Sequence, residues 1–475
     1  MRHIKRFTKH EDYESYIASK WYVCPNVSFC DNVENEVHYN GCSPHDYSRD
    51  YLTFVATESG TFKFSGNSVN YSLDNGTTWT TLASNTNSPT VQAGEKILWK
   101  AELTPATNKG VGRFSSTGSF VAEGNTMSLL YGDNFKGQTS LAEKDYAFFR
   151  LLSGCTGLTS AESLSMPATT LATYCYGNMF RGCANLTTAP ELPATTLTTS
   201  CYYCMFYGCT SLTTAPVLSA TTLADACYYY MFDGCTSLTT APELPATTLA
   251  SQCYSYMFVG CTSLATAPST LPATTLESYC YTNMFDGCTS LTTAPSLPAT
   301  TLVDSCYYQM FSGCTSLTTA PSLPAIALAG SCYSTMFAGC TSLTTAPSLP
   351  ATTLENNCYS KMFSGCTSLT TAPSLPATTL VENCYSSMFR NCASLTTAPS
   401  LPATTLANSC YYQMLEGCTK LNSITCLATN ISASFCTYDW VRGVASSGTF
   451  TKAASMTSWT TDNSGIPSGW TVQDA

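Results

Sequence analysis

Catalysis or metal binding needs nucleophiles, proton carriers or ligands within reach of one another, and this chain offers thiols first. It holds 27 cysteines but only four histidines in 475 residues. Ten cysteines, from Cys175 to Cys410, each precede a tyrosine, and eleven, from Cys155 to Cys418, each follow a glycine or its substitute. The histidines, His3, His10, His38 and His45, all lie in the first 45 residues, so a Ser-His-Asp or Cys-His arrangement cannot form in the rest of the chain. Cys24, Cys30, His38, Cys42 and His45 fall close together, but their spacings match no common zinc pattern, and ordinary strand residues explain them. Carboxylates come singly, as at Asp225, Asp233, Asp286, Asp304 and Glu355. A pair for glycoside cleavage needs a separation of about 5 to 9.5 Å. Neighbouring repeats could place two acids so by chance, yet a solvated ridge provides no cleft. Phosphate-loop and dinucleotide fingerprints are absent. We therefore expect no catalytic residue, no metal site, no cofactor and no enzyme.

The element that positions these thiols is a repeat. Methionines at 179, 205, 231, 257, 284, 310, 336, 362, 388 and 414 are 26 residues apart, except one step of 27 where a residue enters near Ser269 and Thr270. A fixed period of this size indicates a solenoid whose units bury their apolar faces only by stacking. Each cysteine set then forms a column with one thiol per coil, about 4.8 Å apart and pointing the same way. A disulfide needs Cβ atoms about 3.8 Å apart. The columns thus read as free, buried, apolar cysteines, although so many could also suggest an oxidised, secreted chain. Within one unit, Leu238–Pro242 reads as a short strand and Leu244–Leu249 as an extended return. The segment Cys227–Phe232 reads as a short helical turn with Cys227, Met231 and Phe232 inward, closed by Gly234 at positive φ.

Four regions follow: a head over 1–48, a small Ig-like β-sandwich over 49–145, the solenoid over 146–420 and a C-terminal cap over 421–475. The fold class is mostly β with short helical turns: a leucine-rich-repeat-type solenoid of 26-residue coils, preceded by the sandwich and a small α+β head. In the head, Thr8 and Glu11 form a capping box before a helix whose apolar face is Tyr13, Tyr16 and Ile17. Strands are expected around 26–30 and 36–39. In the sandwich, strands are expected at 51–55, 61–64, 69–71 and 96–99. Ser72, Asp74, Gly76 and Trp79 have the spacing of an Asp-box hairpin turn. It occurs once, so it marks a turn and not a sialidase propeller. The segment Tyr146–Cys155 is a degenerate first repeat, and Trp440, Trp459 and Trp470 cover the far end.

Charged residues are only 11% of the chain and the net charge is −10, which argues against a nucleic-acid partner. No run of 18 apolar residues exists, so no membrane-spanning helix is expected. The start, Met1-Arg-His-Ile-Lys-Arg, is basic but lacks a following apolar segment, so we expect no secretory signal.

The repeat Leu-Pro-x-x-x-Leu-x-x-x-Cys-Tyr-x-x-Met-Phe-x-Gly-Cys-x-Ser-Leu resembles the BspA-like leucine-rich repeats of bacterial surface proteins. It departs from them by Met before Phe and by coils longer than the usual form. The whole arrangement, including Gly443–Phe450 and Ile466–Val472, is similar to virion proteins carried by tailed phages of gut Bacteroidales. This resemblance implies a virion-surface protein, a fibre or a capsid or tail decoration, made in the host cytoplasm. It implies other virion proteins as partners of the head, and a host surface protein or glycan as partner of the solenoid, with homo-oligomerisation open. A bacterial cell-surface adhesin and a purely structural decoration are the alternatives.

The repeats also serve as their own alignment. Thr-Ser-Leu-Thr-Thr-Ala-Pro and Leu-Pro-Ala-Thr-Thr-Leu hardly vary. The residues before each first cysteine, the two after its tyrosine and the one after Phe do vary, on one ridge. That ridge is either unconstrained surface or a diversified binding face. Tyr203, Tyr207, Tyr229, Tyr230 and Tyr256, with Asp233, cluster in its early coils and are the expected binding residues.

Overall fold

The computed structural model describes residues 46–475 and two short strands before them, β1 (Tyr22–Val23) and β2 (Ser43–Pro44), which pair antiparallel. The capping box, the two head strands and the cysteine–histidine group expected at the N-terminus lie outside the described residues.

Alternating apolar residues next build β3 (Leu52–Ala56), β4 (Phe62–Phe64), β5 (Val69–Ser72), β6 (Thr80–Leu82), β7 (Lys96–Lys100), β8 (Phe114–Ser116) and β9 (Phe120–Asn125). Strands β4 and β8 form a two-stranded sheet over a six-stranded one. The layers meet through buried rings: Phe54 lies 4.9 Å from Phe114, and Phe62 lies 5.1 Å from Phe120 and 5.3 Å from Phe54. The expected strands are present, but the immunoglobulin-like layout is corrected. That fold packs two antiparallel sheets of similar size. Here the large sheet runs β10-β9-β3-β7-β5-β6, and β10 (Leu158–Ser165), from the first coil, joins β9 in parallel. The solenoid therefore continues the sheet of the preceding layer. The Asp74 turn forms as its residues require: Oδ1 accepts from the Thr78 amide at 2.8 Å, the Gly76 amide donates to Ser72 Oγ at 2.8 Å, and Gly76 has φ 86°.

In the coils, the expected helical turn is replaced by a ribbon of consecutive β-turns. Ala226, Tyr230 and Gly234 all have positive φ, at 52°, 55° and 70°, which no α-helix tolerates. The amides of Cys227, Tyr229, Met231 and Cys235 donate three residues back, at 3.0 to 3.2 Å. The intervening amides of Ala226, Tyr228, Tyr230, Phe232 and Gly234 donate to carbonyls of the next coil, at 2.8 to 3.1 Å. Side chains therefore alternate in pairs. Cys227 and Tyr228 point in, Tyr229 and Tyr230 out, Met231 and Phe232 in, Asp233 and Gly234 out. Tyr228, which a helical spacing leaves outside, is only 2% exposed. The same ladder starts with the Tyr146 amide, which donates to Thr173, and runs to the Gly417 amide, which donates to Arg442. On the opposite side, the expected strands reduce to single parallel bridges such as Thr240 to Thr266 and Thr248 to Thr275.

Inside, like stacks on like. The Tyr176-to-Tyr411 column has ring centroids 5.7 to 6.2 Å apart. The Phe180-to-Phe389 column has them 5.3 to 5.7 Å apart. From Cys183 to Cys418, the cysteine that follows the Gly or its substitute uses its thiol as a weak donor to a carbonyl of the preceding coil, as Cys235 does to Phe206 at 3.2 Å. Phe148 closes one end of the tyrosine column by stacking on Tyr176 at 5.5 Å. At the other end Trp440 stacks between Tyr411 and Trp459, at 6.0 and 5.7 Å. Past the last full coil, β11 (Ser423–Cys426), β12 (Thr449–Lys452) and β13 (Thr471–Asp474) continue in parallel. Among the described residues no helix is long and apolar enough to cross a membrane.

Two predictions follow from this packing. The 24 described cysteines are free and buried, and desolvation pushes thiols such as Cys175 and Cys209 up to about 12. Native protein should expose few or none of them to a thiol reagent, while denatured, unreduced protein should titrate nearly all 27. Blocked thiols after denaturation would contradict the stacked columns. The hydroxyls of Tyr254 and Tyr385 are buried without a hydrogen-bond partner among the described residues. Tyr254→Phe should leave stability unchanged or raise it by about 1 kcal/mol. Tyr254→Ala should lower it by about 3 kcal/mol or more through the gap in the column. Chemical denaturation of both variants checks this.

Candidate interaction surface

Because the turn ribbon points its side chains out in pairs, three outward positions per coil line up along the solenoid. They are the second and third residues after the first cysteine, and the residue after Phe. The third position carries the left-handed turn residue in every coil, filled in turn by Cys204, Tyr230, Tyr256, Asn283 and Gln309. The backbone bonds, not the side chains, hold this conformation, so the position accepts many residue types.

The early coils bring all five expected tyrosines into one patch. Tyr203 stacks on Tyr229 at 5.4 Å, Tyr229 meets Tyr230 edge to face at 4.5 Å, and Tyr230 stacks on Tyr256 at 4.5 Å. Tyr207 reaches Tyr230 at 6.3 Å. All five are half-buried against one another. The sequence reading omitted two neighbours. Tyr174 extends the patch, 5.6 Å from Tyr203 and 5.1 Å from Tyr146, and the Arg181 guanidinium lies over Tyr207 at 4.7 Å. Arg181 occupies the position after Phe, so the column alignment could have identified it. Tyr174 sits immediately before a first cysteine, a position already expected on the ridge, and its left-handed backbone, with φ 53°, goes with a ring beside Tyr203.

Asp233 lies within this patch. Desolvation raises its pKa to about 6, Arg181 works against the shift, and Asp286, two coils on, adds to it. Desolvation likewise holds the Tyr203 phenol up at about 12. Rings, one carboxyl and one guanidinium can stack on a flat ligand and bond its hydroxyls, while the Cys204 thiol beside Tyr203 is buried and desolvation pushes its pKa up to about 11. Among the described residues no three His, Cys, Asp or Glu side chains gather as a metal site.

The raised Asp233 pKa fixes a sign. The folded state holds its proton more tightly than the unfolded state, so stability falls as pH rises from about 4 through about 6. Asp233→Asn should therefore be more stable than wild type at pH 7 and equal to it near pH 4. Denaturation midpoints across that range measure the difference, and an equal gap at both ends would reject the assignment.

Comparison with known proteins agrees with the repeat architecture. The model of the BspA type leucine rich repeat region matches six copies, over residues 153–292, 254–396 and 330–439. Among solved structures, the chain is similar to a leucine-rich repeat protein from Bacteroides ovatus ATCC 8483, determined at 1.19 Å. That alignment has 17% identity and a TM-score of 0.38, covering 69% of this chain and 87% of the other. No curated protein matches. With the family's repeats spanning more than half of its length and its coils stacked as a solenoid, the chain belongs to the BspA-type leucine-rich repeat family.

Proposed function

We propose that this chain is a non-enzymatic virion-surface protein of a tailed phage, and that its solenoid adheres to a host surface protein or glycan. In this reading the N-terminal head binds other virion proteins, and the early-coil tyrosine patch meets the host. The observation that carries it is the patch itself. Rings that nothing in the core requires stand together on the one ridge where coils differ, while the Thr rows opposite repeat a single chemistry. Tyrosine is suited to such a role, since it offers contact area and a hydroxyl at low entropy cost.

Replacing Tyr203, Tyr229 and Tyr230 together by Ser should leave the fold intact, because the stacked Phe and Tyr columns lie beneath them and other coils carry Ser255, Ser360 and Ser387 at the matching positions. Adsorption of the purified variant to host cells should fall at least about tenfold against wild type. Unchanged adsorption removes the patch from the reading, and no adsorption by wild type favours a decoration without ligand. A chain starting near Asp50 should fail to join particles. A full chain that adsorbs to cells but never joins particles marks a bacterial cell-surface adhesin instead.

A further inference from the structure

The ridge changes character along its length. Between residues 182 and 360 there is no lysine or arginine, against eight carboxylates. Farther along the ridge, Lys361, Arg390 and Arg442 stand against Glu382, Glu416 and Asp439, so the late coils lose the excess of acid. In the same late coils the tyrosine pair of the early ridge gives way to Ser386 and Ser387, which are 8% and 3% exposed. Their small side chains leave a trough of about 460 Å³. Lys361 forms one wall and is exposed, while Tyr412 and Gln413 form the other. Arg390 stands on the rim, its Nε 2.9 Å from Glu416. Arg442 also pairs with Glu416 and lies 3.4 Å from Asp439, so that cluster is neutral; Lys361 adds the remaining positive charge of the lining, with exposed Glu382 next to Asn383 outside it. Beside the trough, Tyr412 stacks on Tyr438 at 5.4 Å. Tyr438 and Phe435 are 44% and 64% exposed, an aromatic platform that no core contact explains.

We infer that this trough binds an acidic glycan, a sugar chain bearing carboxylate or sulfate groups, at a site separate from the early-coil patch. Three observations select this ligand. The lining is hydroxyl and amide, with Asn357 and Asn383 beside the serines and no apolar pocket for a peptide side chain. The exposed rings give a sugar face somewhere to stack. Lys361 and Arg390 give an anion somewhere to sit, on a chain whose net charge of −10 otherwise repels anions. Arg390 meets Glu416 through Nε, so the outer edge of its guanidinium is not needed for that pair.

The test uses the full chain with hyaluronan as a carboxylate probe, dextran sulfate as a sulfate probe, and neutral dextran and polyglutamate as controls. At least one acidic polysaccharide should bind, at least about tenfold more tightly than either control. Binding should weaken steeply between about 0.01 M and about 1 M salt, as the Debye length shrinks from about 30 Å to about 3 Å. Whichever acidic probe binds more tightly names the acid. Lys361→Glu with Arg390→Gln should reduce binding at least about tenfold. Ser386→Tyr with Ser387→Tyr, a pair the backbone already carries as Tyr229 and Tyr230, should do the same by filling the trough without changing charge. The Tyr203, Tyr229, Tyr230 triple Ser variant should bind these probes like wild type, which separates this site from the adhesion reading. Equal binding of neutral dextran or polyglutamate, or full binding by the filled-trough variant, overturns the inference.

Discussion

Every second amide along the inner ribbon of a coil donates to a carbonyl of the next coil, and the rest of the solenoid follows from that bond. To point alternate amides along the solenoid axis the backbone must turn left-handed at every fourth residue. Each such non-glycine residue costs about 1 kcal/mol or more. A net hydrogen bond contributes about 1 kcal/mol, and the ribbon forms two between coils for each left-handed residue. Leaving those amides buried and unpaired would be worse still. The strain is therefore outweighed only when a neighbouring coil is present, which is why the unit exists as an array and not alone.

The same geometry explains the monotony of the core. A left-handed residue at every fourth position sends side chains in and out in pairs, so each inward residue lands above its counterpart one coil away. Identical shapes stack without gaps, as the Tyr and Phe columns do, and the thiol after each Gly fits where a small group with a weak donor is needed. Columns of this kind need closed ends. The first coil continues the sheet of the preceding sandwich through β10, and Trp440 and Trp459 complete the other end. Trp440 also donates from its indole to the Gly465 carbonyl at 2.8 Å, tying the cap to the column it covers.

Outward positions carry none of these duties. Their backbone is held by the ladder whatever the side chain, so the ridge can vary while the core cannot. In this chain it varies along its length: aromatic with a desolvated carboxyl in the early coils, small residues flanked by Lys361 and Arg390 in the late ones. One scaffold thus presents two chemically different stretches along a single line.

What was legible in the sequence was what repeats or what is local. The period, the inward Cys, Met, Phe and Leu columns, the degenerate first coil, the tryptophan cap and the Asp74 turn all follow from residue types at fixed offsets. The clustering of Tyr203, Tyr229, Tyr230 and Tyr256 could be expected because column positions stack. The helical reading of Cys227–Phe232 failed for a physical reason. Ala226 and Tyr230 have no local preference for positive φ, and the bonds that hold them there come from residues 25 or 26 places further on. That non-local ladder also decided that Tyr228 is buried. It likewise opened a trough above Ser386 and Ser387, since a trough exists only relative to the taller side chains on the coils beside it. Side-chain order was written in the chain, but which side chains face one another was settled by the stacking of coils.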